Sequence, residues 1–391
     1  MTLTQTQLVE EQYQLKTYKK FPLTLVRGED VWVWDEDGTR YLDLYGGHAV
    51  VSTGHCHPRV VEAIKSQAER FMFFSNLVYN DTRARAAKAL GEVAPEGLKH
   101  IFFINSGAEA NENAIKLARH MSGKSGIISF EGGFHGRTIG ALSATGISKY
   151  REAFSPRIDK HFFLPFGDLD AVAALMEKEE IGGILLEPIQ SMAGVCMAEP
   201  AYYQGLRALC DKHGAMLIYD EVQTGFGRTG TFFFSSRYGV TPDLATLAKG
   251  IASGMPMGAI LTSDDIANRI NYGDLGTTFG GGPLASAALE ATIQTILEED
   301  LLDNVNQQSE YMRGKLASID GVVESLGLGY LMGIRFERPA SDVQKALLKK
   351  QIITGLSGDD HVMRLLPPLT LKQQEIDLFL NALQEVLSAL G

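Results

Sequence analysis

Cysteine is scarce: Cys56, Cys196 and Cys210 are the only three in the chain. An odd number with no CxxC pair excludes a disulfide framework and a zinc ribbon, and a reducing cytoplasm suits such a sequence best. Long apolar runs are also missing. None reaches the roughly 18 residues of a membrane span, and no charged n-region followed by an apolar h-region opens the chain, so neither a membrane nor secretion is indicated. Positive charge is not concentrated anywhere: 36 Lys and Arg face 47 Asp and Glu, for a net charge of −11. A nucleic-acid footprint is thereby excluded, and an anionic small substrate needs local arginines or lysines. No internal repeat is visible.

What is present is an ordinary globular composition, 45% hydrophobic over 391 residues, enough for a large core and for two domains. Residues 1–20 are polar and open with a Thr/Gln run, expected to fray before Tyr18. Val31–Trp34 and Tyr41–Leu44, joined by Asp35-Glu36-Asp37-Gly38, predict a hairpin. Glycines 46, 47 and 54 then break the chain, and Pro58 starts a helix with Val61, Ile64 and Ala68 on one face. From about residue 100, strands are expected at His100–Asn105, Gly126–Phe130, His161–Phe166, Gly183–Glu187, Met216–Asp220, Leu244–Ala248 and Met257–Thr262, with helical stretches between most of them. Seven strands with crossovers predict one large, mostly parallel sheet. Beyond Gly280-Gly281-Gly282-Pro283 come helices at Leu284–Glu299 and Leu302–Ile319, strands near Tyr330–Phe336 and Val362–Leu365, and a terminal helix, which together predict a smaller second domain.

The chemistry concentrates between Met216 and Lys249. Two buried-type strands end there in a carboxylate, Asp220, and an amine, Lys249. In open α/β sheets ligands bind at the carboxyl ends of strands, so both groups face one crevice. A lysine that closes a buried strand is unusual, and burial that keeps its amine neutral suits it to react with a carbonyl. Read alone, it is a strand-end lysine reaching solvent.

Asn105-Ser106-Gly107-Ala108-Glu109 joins a strand to a helix, with Ser106 as cap and free N–H groups that suit a phosphate. Taken by itself, the stretch is also simply a well-capped helix. In Glu131-Gly132-Gly133-Phe134-His135-Gly136-Arg137-Thr138, glycines around Phe134 expose its ring for stacking, and Arg137 offers a fork for a carboxylate. A tight turn with a core Phe134 and a structural Arg137 fits that stretch equally well.

Other stretches mislead. Tyr219-Asp220-Glu221 resembles a Mg²⁺-holding strand end, but the P-loop partner is missing, because its first glycine falls at Ala118. Gly225-Phe226-Gly227-Arg228-Thr229-Gly230 is an intact GxGxxG, yet Phe232-Phe233-Phe234 follows it where a helix should. His55-Cys56-His57-Pro58 reads as a turn, since adjacent residues do not converge on one tetrahedral ion. Of the single histidines His48, His135 and His361, only His48 lies in a glycine-opened stretch that can face a pocket.

Together, an anion cradle, an aromatic plate, a strand-end carboxylate and a strand-end amine meet the needs of pyridoxal 5'-phosphate. The motifs NSGAEANE (Asn105–Glu112), FHGRT (Phe134–Thr138), EPIQ (Glu187–Gln190), YDEVQTGFGRTG (Tyr219–Gly230), LAKG (Leu247–Gly250) and TTFGGGPL (Thr277–Leu284) occur in this order. The chain resembles the class III aminotransferases of the fold-type I pyridoxal phosphate superfamily from about Tyr18 to its end. Within them it is most similar to acetylornithine and ornithine aminotransferases.

The resemblance implies an α/β fold with a large, mostly parallel seven-stranded sheet domain (49–285) and a smaller α+β domain (286–391) that residues 1–48 join. It implies that Lys249 carries the cofactor, Asp220 pairs with its ring nitrogen, Val222 packs under the ring, Gln223 contacts its phenolic oxygen and Phe134 stacks on the other face. Gly107 and Ala108 would hold the phosphate, with Thr278 reaching it from the second subunit of a homodimer whose active sites lie at the interface. Arg137, Arg364, Thr277 and His48 would bind substrate. The reaction implied is ping-pong transfer of an amino group from an amine donor to 2-oxoglutarate, glutamate being the product on the acceptor side.

Two departures bear on the substrate. Relatives that alternate between a diamine-type donor and glutamate carry a Glu that masks the C-terminal arginine, where this chain has Met192. An arginine buried without that mask needs another partner or another substrate. His48 stands where ornithine enzymes place a tyrosine. Another ω-amino acid or amine transaminase, a same-fold aminomutase, a nucleotide-dependent α/β enzyme and a non-catalytic cofactor-binding protein are the alternatives.

Overall fold

The computed structural model describes residues 3–391. Its centre is a seven-stranded sheet in the order His100–Ile104, Gly258–Thr262, Leu244–Leu247, Met216–Asp220, Ile181–Leu186, Gly126–Phe130 and His161–Leu164. All pairings are parallel except those of Gly258–Thr262, which runs antiparallel to both neighbours. The reason is chain length. A parallel return needs about a dozen residues or more, and the link 248–257 is too short, so the chain doubles back. The mostly parallel seven-stranded sheet expected from the sequence is therefore present, with its strands within a few residues of the expected ends.

The strand Ile181–Leu186 is buried along its whole length, as a central parallel strand must be. Its Gly183 lets the helix Gly107–Ser122 settle close, because a Cβ there would come within 3.0 Å of the Ala118 Cβ. That helix buries Ala110, Ala114, Leu117, Ala118 and Met121 and ends on Gly123 in the left-handed region with φ of 70°.

Besides the two-stranded pair of Ile189–Gln190 with Cys196–Met197, two four-stranded sheets accompany this core. Leu25–Glu29, Trp32–Asp35 and Arg40–Asp43 extend the expected hairpin by one strand and are joined by Ile352–Ile353 from the far end of the chain. The other sheet runs Val322–Leu328, Leu331–Phe336, Val362–Leu365, Gly355–Leu356, and it carries Arg364.

The N-terminal expectation is corrected. Residues 5–13 form the helix Gln5–Tyr13, which starts with a capping box between Thr4 and Gln7. Those reciprocal bonds satisfy N-terminal donors that would otherwise favour fraying. Met1 and Thr2, also covered by that expectation, lie outside the described residues. No helix among the described residues is long and apolar enough to cross a membrane.

Candidate active site

The strand Met216–Asp220 delivers Asp220 to the carboxyl edge of the sheet, where it is buried. Its Oδ2 accepts from Asn111 Nδ2 at 2.7 Å and lies 2.8 Å from His135 Nδ1, while Oδ1 accepts the Val222 N–H at 3.1 Å. Asn111 is held in turn by Thr246, whose hydroxyl donates to its Oδ1 at 2.7 Å. A buried carboxylate needs such partners, and these fix its direction.

Lys249 follows the neighbouring strand and sits in the left-handed region with φ of 49°. A non-glycine residue held there stores local strain, and such residues concentrate at functional sites. Burial lowers its amine pKa, opposed by the Asp220 and Glu187 carboxylates and assisted by the cations Arg364 and Arg228. Glu187, from the EPIQ segment, accepts the Phe134 N–H at 2.8 Å. Its own pKa is pushed up by burial and by Asp220.

At the start of the helix Gly107–Ser122, Ser106 Oγ accepts the Glu109 N–H at 3.1 Å. The N–H groups of Gly107 and Ala108 precede the first intrahelical bond and stay available to an anion. Gly107 is required for close packing, since a Cβ there would lie 3.0 Å from both Val222 methyls.

One cavity of about 440 Å³ brings Gly107, Ala108, Phe134, Arg137, Asp220, Val222, Gln223 and Lys249 to a common wall. Arg137 is exposed, its guanidinium 3.9 Å from the centre of the Tyr150 ring and 5.7 Å from that of Phe134. His48, Thr277, Thr278 and Arg364 are not in that wall. Thr277 Oγ1 accepts from Asn105 Nδ2 at 3.2 Å, beside the cavity, and Thr278 is exposed. The His48 ring lies 4.6 Å from that of Tyr45, tilted by 57°, and burial with the charges of Arg364 and Lys249 lowers its pKa to about 4. Its imidazole is therefore neutral at pH 7. Arg364 is buried and donates to Leu356 O, Ser191 Oγ and Tyr45 Oη.

The misleading motifs resolve as structure. Glu221 is buried and accepts from Thr224 Oγ1 and the N–H groups of Phe234 and Ser235. Arg228 of the GxGxxG is buried and donates to the Pro367 carbonyl, tying that turn to the C-terminal part of the chain. His55 pairs with Asp43 and His57 with Glu299.

These residues fit pyridoxal phosphate: a free helix N-terminus for its phosphate, a networked carboxylate for its ring nitrogen and an amine for its aldehyde. The profile of the aminotransferase class-III family matches residues 13–387. The chain is a class-III aminotransferase. Among curated proteins it is similar to the acetylornithine aminotransferase of Methanopyrus kandleri, 43% identical over 97% of this chain and 98% of the relative. Among solved structures it resembles the ornithine aminotransferase of Toxoplasma gondii ME49, with a TM-score of 0.92 and 28% identity over 98% of this chain and 94% of that one. It also resembles an (S)-enantioselective omega-transaminase from Thermomicrobium roseum, with a TM-score of 0.87 and 31% identity over 100% and 99% of the two chains. The cofactor of this aminotransferase is pyridoxal phosphate, as its family implies.

Asn111 and His135 are the functional neighbours that sequence reasoning passed over. Asn111 lies inside the quoted NSGAEANE motif, one position after the helix's apolar stripe begins, and a polar residue beside that stripe was the available signal. For His135, whose partner Asp220 is 85 positions away, local spacing holds no signal.

Proposed function

We propose that this aminotransferase moves an amino group from an ω-amine or amino acid donor of the acetylornithine or ornithine kind to 2-oxoglutarate, by a ping-pong mechanism. The observation that carries the reading is the common cavity in which Lys249 faces the Asp220–His135–Asn111 network, with arginines nearby that have no carboxylate partner among the described residues.

When bound, the cofactor supplies an electron sink for the bond broken at the substrate carbon. Asp220 would hold a proton on its ring nitrogen, and His135 and Asn111 keep that carboxylate aimed. Lys249 would hold the cofactor's aldehyde through its amine and would serve the substrate carbon as general base and acid; its lowered pKa favours the neutral amine this needs. Val222 and Phe134 would pack on the ring, Gln223 would contact its phenolic oxygen, and the N–H groups of Gly107 and Ala108 would donate to the phosphate. Arg364 takes the carboxylate next to the reacting carbon and Arg137 the distal one, a pair suited to a dicarboxylate such as glutamate or 2-oxoglutarate. His48 and Thr277 border the substrate.

A homodimer is part of the reading. Thr278 is exposed beside Phe279, which is 64% exposed and lies 5.0 Å from the tilted ring of Phe73, and Leu77, next to the Asn76 that donates to Thr277 O, is 90% exposed. An apolar patch of this kind fits a subunit interface, with Thr278 of the partner subunit reaching the phosphate. The division into residues 49–285 and a smaller domain built from 1–48 and 286–391 is supported by the pairing of Ile352–Ile353 with Arg40–Asp43. Free cysteines favour a cytoplasmic enzyme.

A panel of amine donors with 2-oxoglutarate as acceptor tests the reading. Glutamate should form with at least one donor of the acetylornithine or ornithine kind. Turnover that needs no external acceptor would indicate an aminomutase.

A further inference from the structure

Arg364 is 2% exposed, and every group that holds it is neutral. Nε donates to Leu356 O at 2.8 Å, Nη1 to Ser191 Oγ at 2.9 Å and Nη2 to Tyr45 Oη at 2.8 Å. A guanidinium has five N–H donors, so one remains free on each terminal nitrogen. Hydroxyls and a carbonyl satisfy hydrogen bonds but leave the charge uncompensated, and a buried cation in that state favours an anion brought from outside.

Tyr45 is built to stay where it is. Asp43 Oδ1 accepts the N–H groups of Tyr45 and Gly46, each at 2.9 Å, and His55 Nε2 lies 2.8 Å from Asp43 Oδ2. The chain then makes a left-handed turn, with φ of 52°, 58°, 71° and 63° at Gly46, Gly47, His48 and Ala49. Left-handed backbone is costly at the non-glycine positions, so this turn is held by its surroundings. The Tyr45 ring lies on Gly355, where a Cβ would come within 1.9 Å of Cε2. Gly355 is the cross-strand partner of Arg364. One strand pair thus sets both the ring and the guanidinium. On the other side Ser191 is buried, its neighbour Met192 adds no charge, and the Gly358 N–H fixes the segment by donating to Met192 O at 2.6 Å.

We propose that Tyr45, together with Ser191, positions Arg364 and so sets selectivity for substrates that carry a carboxylate on the reacting carbon. The inference rests on the reading of Arg364 as a carboxylate site. A carboxylate in the cradle would neutralise the arginine and would have to leave before substrate bound. Hydroxyls have no such conflict, so Arg364 presents the same charge in both half-reactions.

The test is single-turnover kinetics of the holoenzyme, followed by cofactor absorbance, with L-glutamate, which has that carboxylate, and with whichever donor lacking it the wild type accepts best. Tyr45→Phe should raise the apparent Kd for L-glutamate by ~10-fold or more, since a hydrogen bond to a charged group is lost. The maximal rate should stay nearly unchanged, as should both constants for the other donor. In an Arg364→Gln background the effect of Tyr45→Phe on L-glutamate should vanish. Ser191→Ala carries the same expectation if Tyr45→Phe fails to fold. Equal losses for both donors, a fall in maximal rate alone, or persistence of the effect without Arg364 would overturn the proposal. A wild type that reacts with other amines but not with L-glutamate would overturn it too. Absence of any half-reaction in the wild type would instead remove the aminotransfer reading beneath it.

Discussion

Asp220 Oδ2 lies 2.8 Å from His135 Nδ1, and both side chains are buried at the end of the same sheet. The carboxylate also accepts from Asn111 at 2.7 Å, so its orientation is fixed before any ligand binds. Asp220→Ala should slow the half-reaction by orders of magnitude with the fold intact, lowering kcat and kcat/KM together. Far-ultraviolet circular dichroism beside stopped-flow absorbance checks both halves of that expectation. His135→Phe should give a smaller loss in the same direction, because Asn111 still holds the carboxylate.

His48 gives a pH signature. Its native pKa is lowered from 6.5 to about 4, first by burial and then by Arg364 and Lys249. Between those values the unfolded chain binds the proton and the native chain does not, so stability contributed here is present above pH 6.5 and is lost as pH falls towards 4. His48→Gln should therefore flatten the acid side of a plot of urea midpoint against pH over that window. An unchanged slope would show that His48 does not titrate with folding.

Glu221 tests the Mg²⁺-like decoy. Its oxygens accept from Thr224 Oγ1 at 2.7 Å and from the Phe234 and Ser235 N–H groups, each at 2.9 Å. Glu221→Ala orphans these donors, and at about 1–3 kcal/mol for each buried unsatisfied group the loss should reach at least ~2 kcal/mol by urea unfolding. Activity should not respond to EDTA or added Mg²⁺.

The apolar patch around Phe279 supplies the fourth expectation. Phe279→Glu places a charge against Phe73 and should shift the protein to a monomer on size exclusion with light scattering. If Thr278 of the partner subunit holds the phosphate, affinity for pyridoxal phosphate should fall with it. A dimer with unchanged cofactor affinity would count against this interface.

Much of this was legible in the sequence because the relevant signals are local. Met216–Asp220 and Gly126–Phe130 match their expected strands, since short apolar runs bounded by breakers specify buried parallel strands. The cavity gathers Lys249, Asp220, Phe134 and Gly107–Ala108 because each sits at a helix start or at or just beyond a strand end. Illegible were relationships across long sequence separations. Neither the Tyr45–Arg364 bond, spanning 319 positions, nor the pairing of Ile352–Ile353 with Arg40–Asp43 leaves a mark on local spacing. The N-terminal helix was missed for a different reason: its residues are all partly or fully exposed, so no apolar stripe announced it, and only the Thr4 cap did.

The central claim is that Lys249 carries the cofactor. The most direct measurement is the absorbance spectrum of purified Lys249→Ala protein supplied with pyridoxal phosphate, before and after borohydride. The wild type should show a band which borohydride bleaches while fixing cofactor to the peptide containing Lys249, and Lys249→Ala should show no such band. A variant with the same reducible band, or cofactor fixed to another lysine, would contradict it.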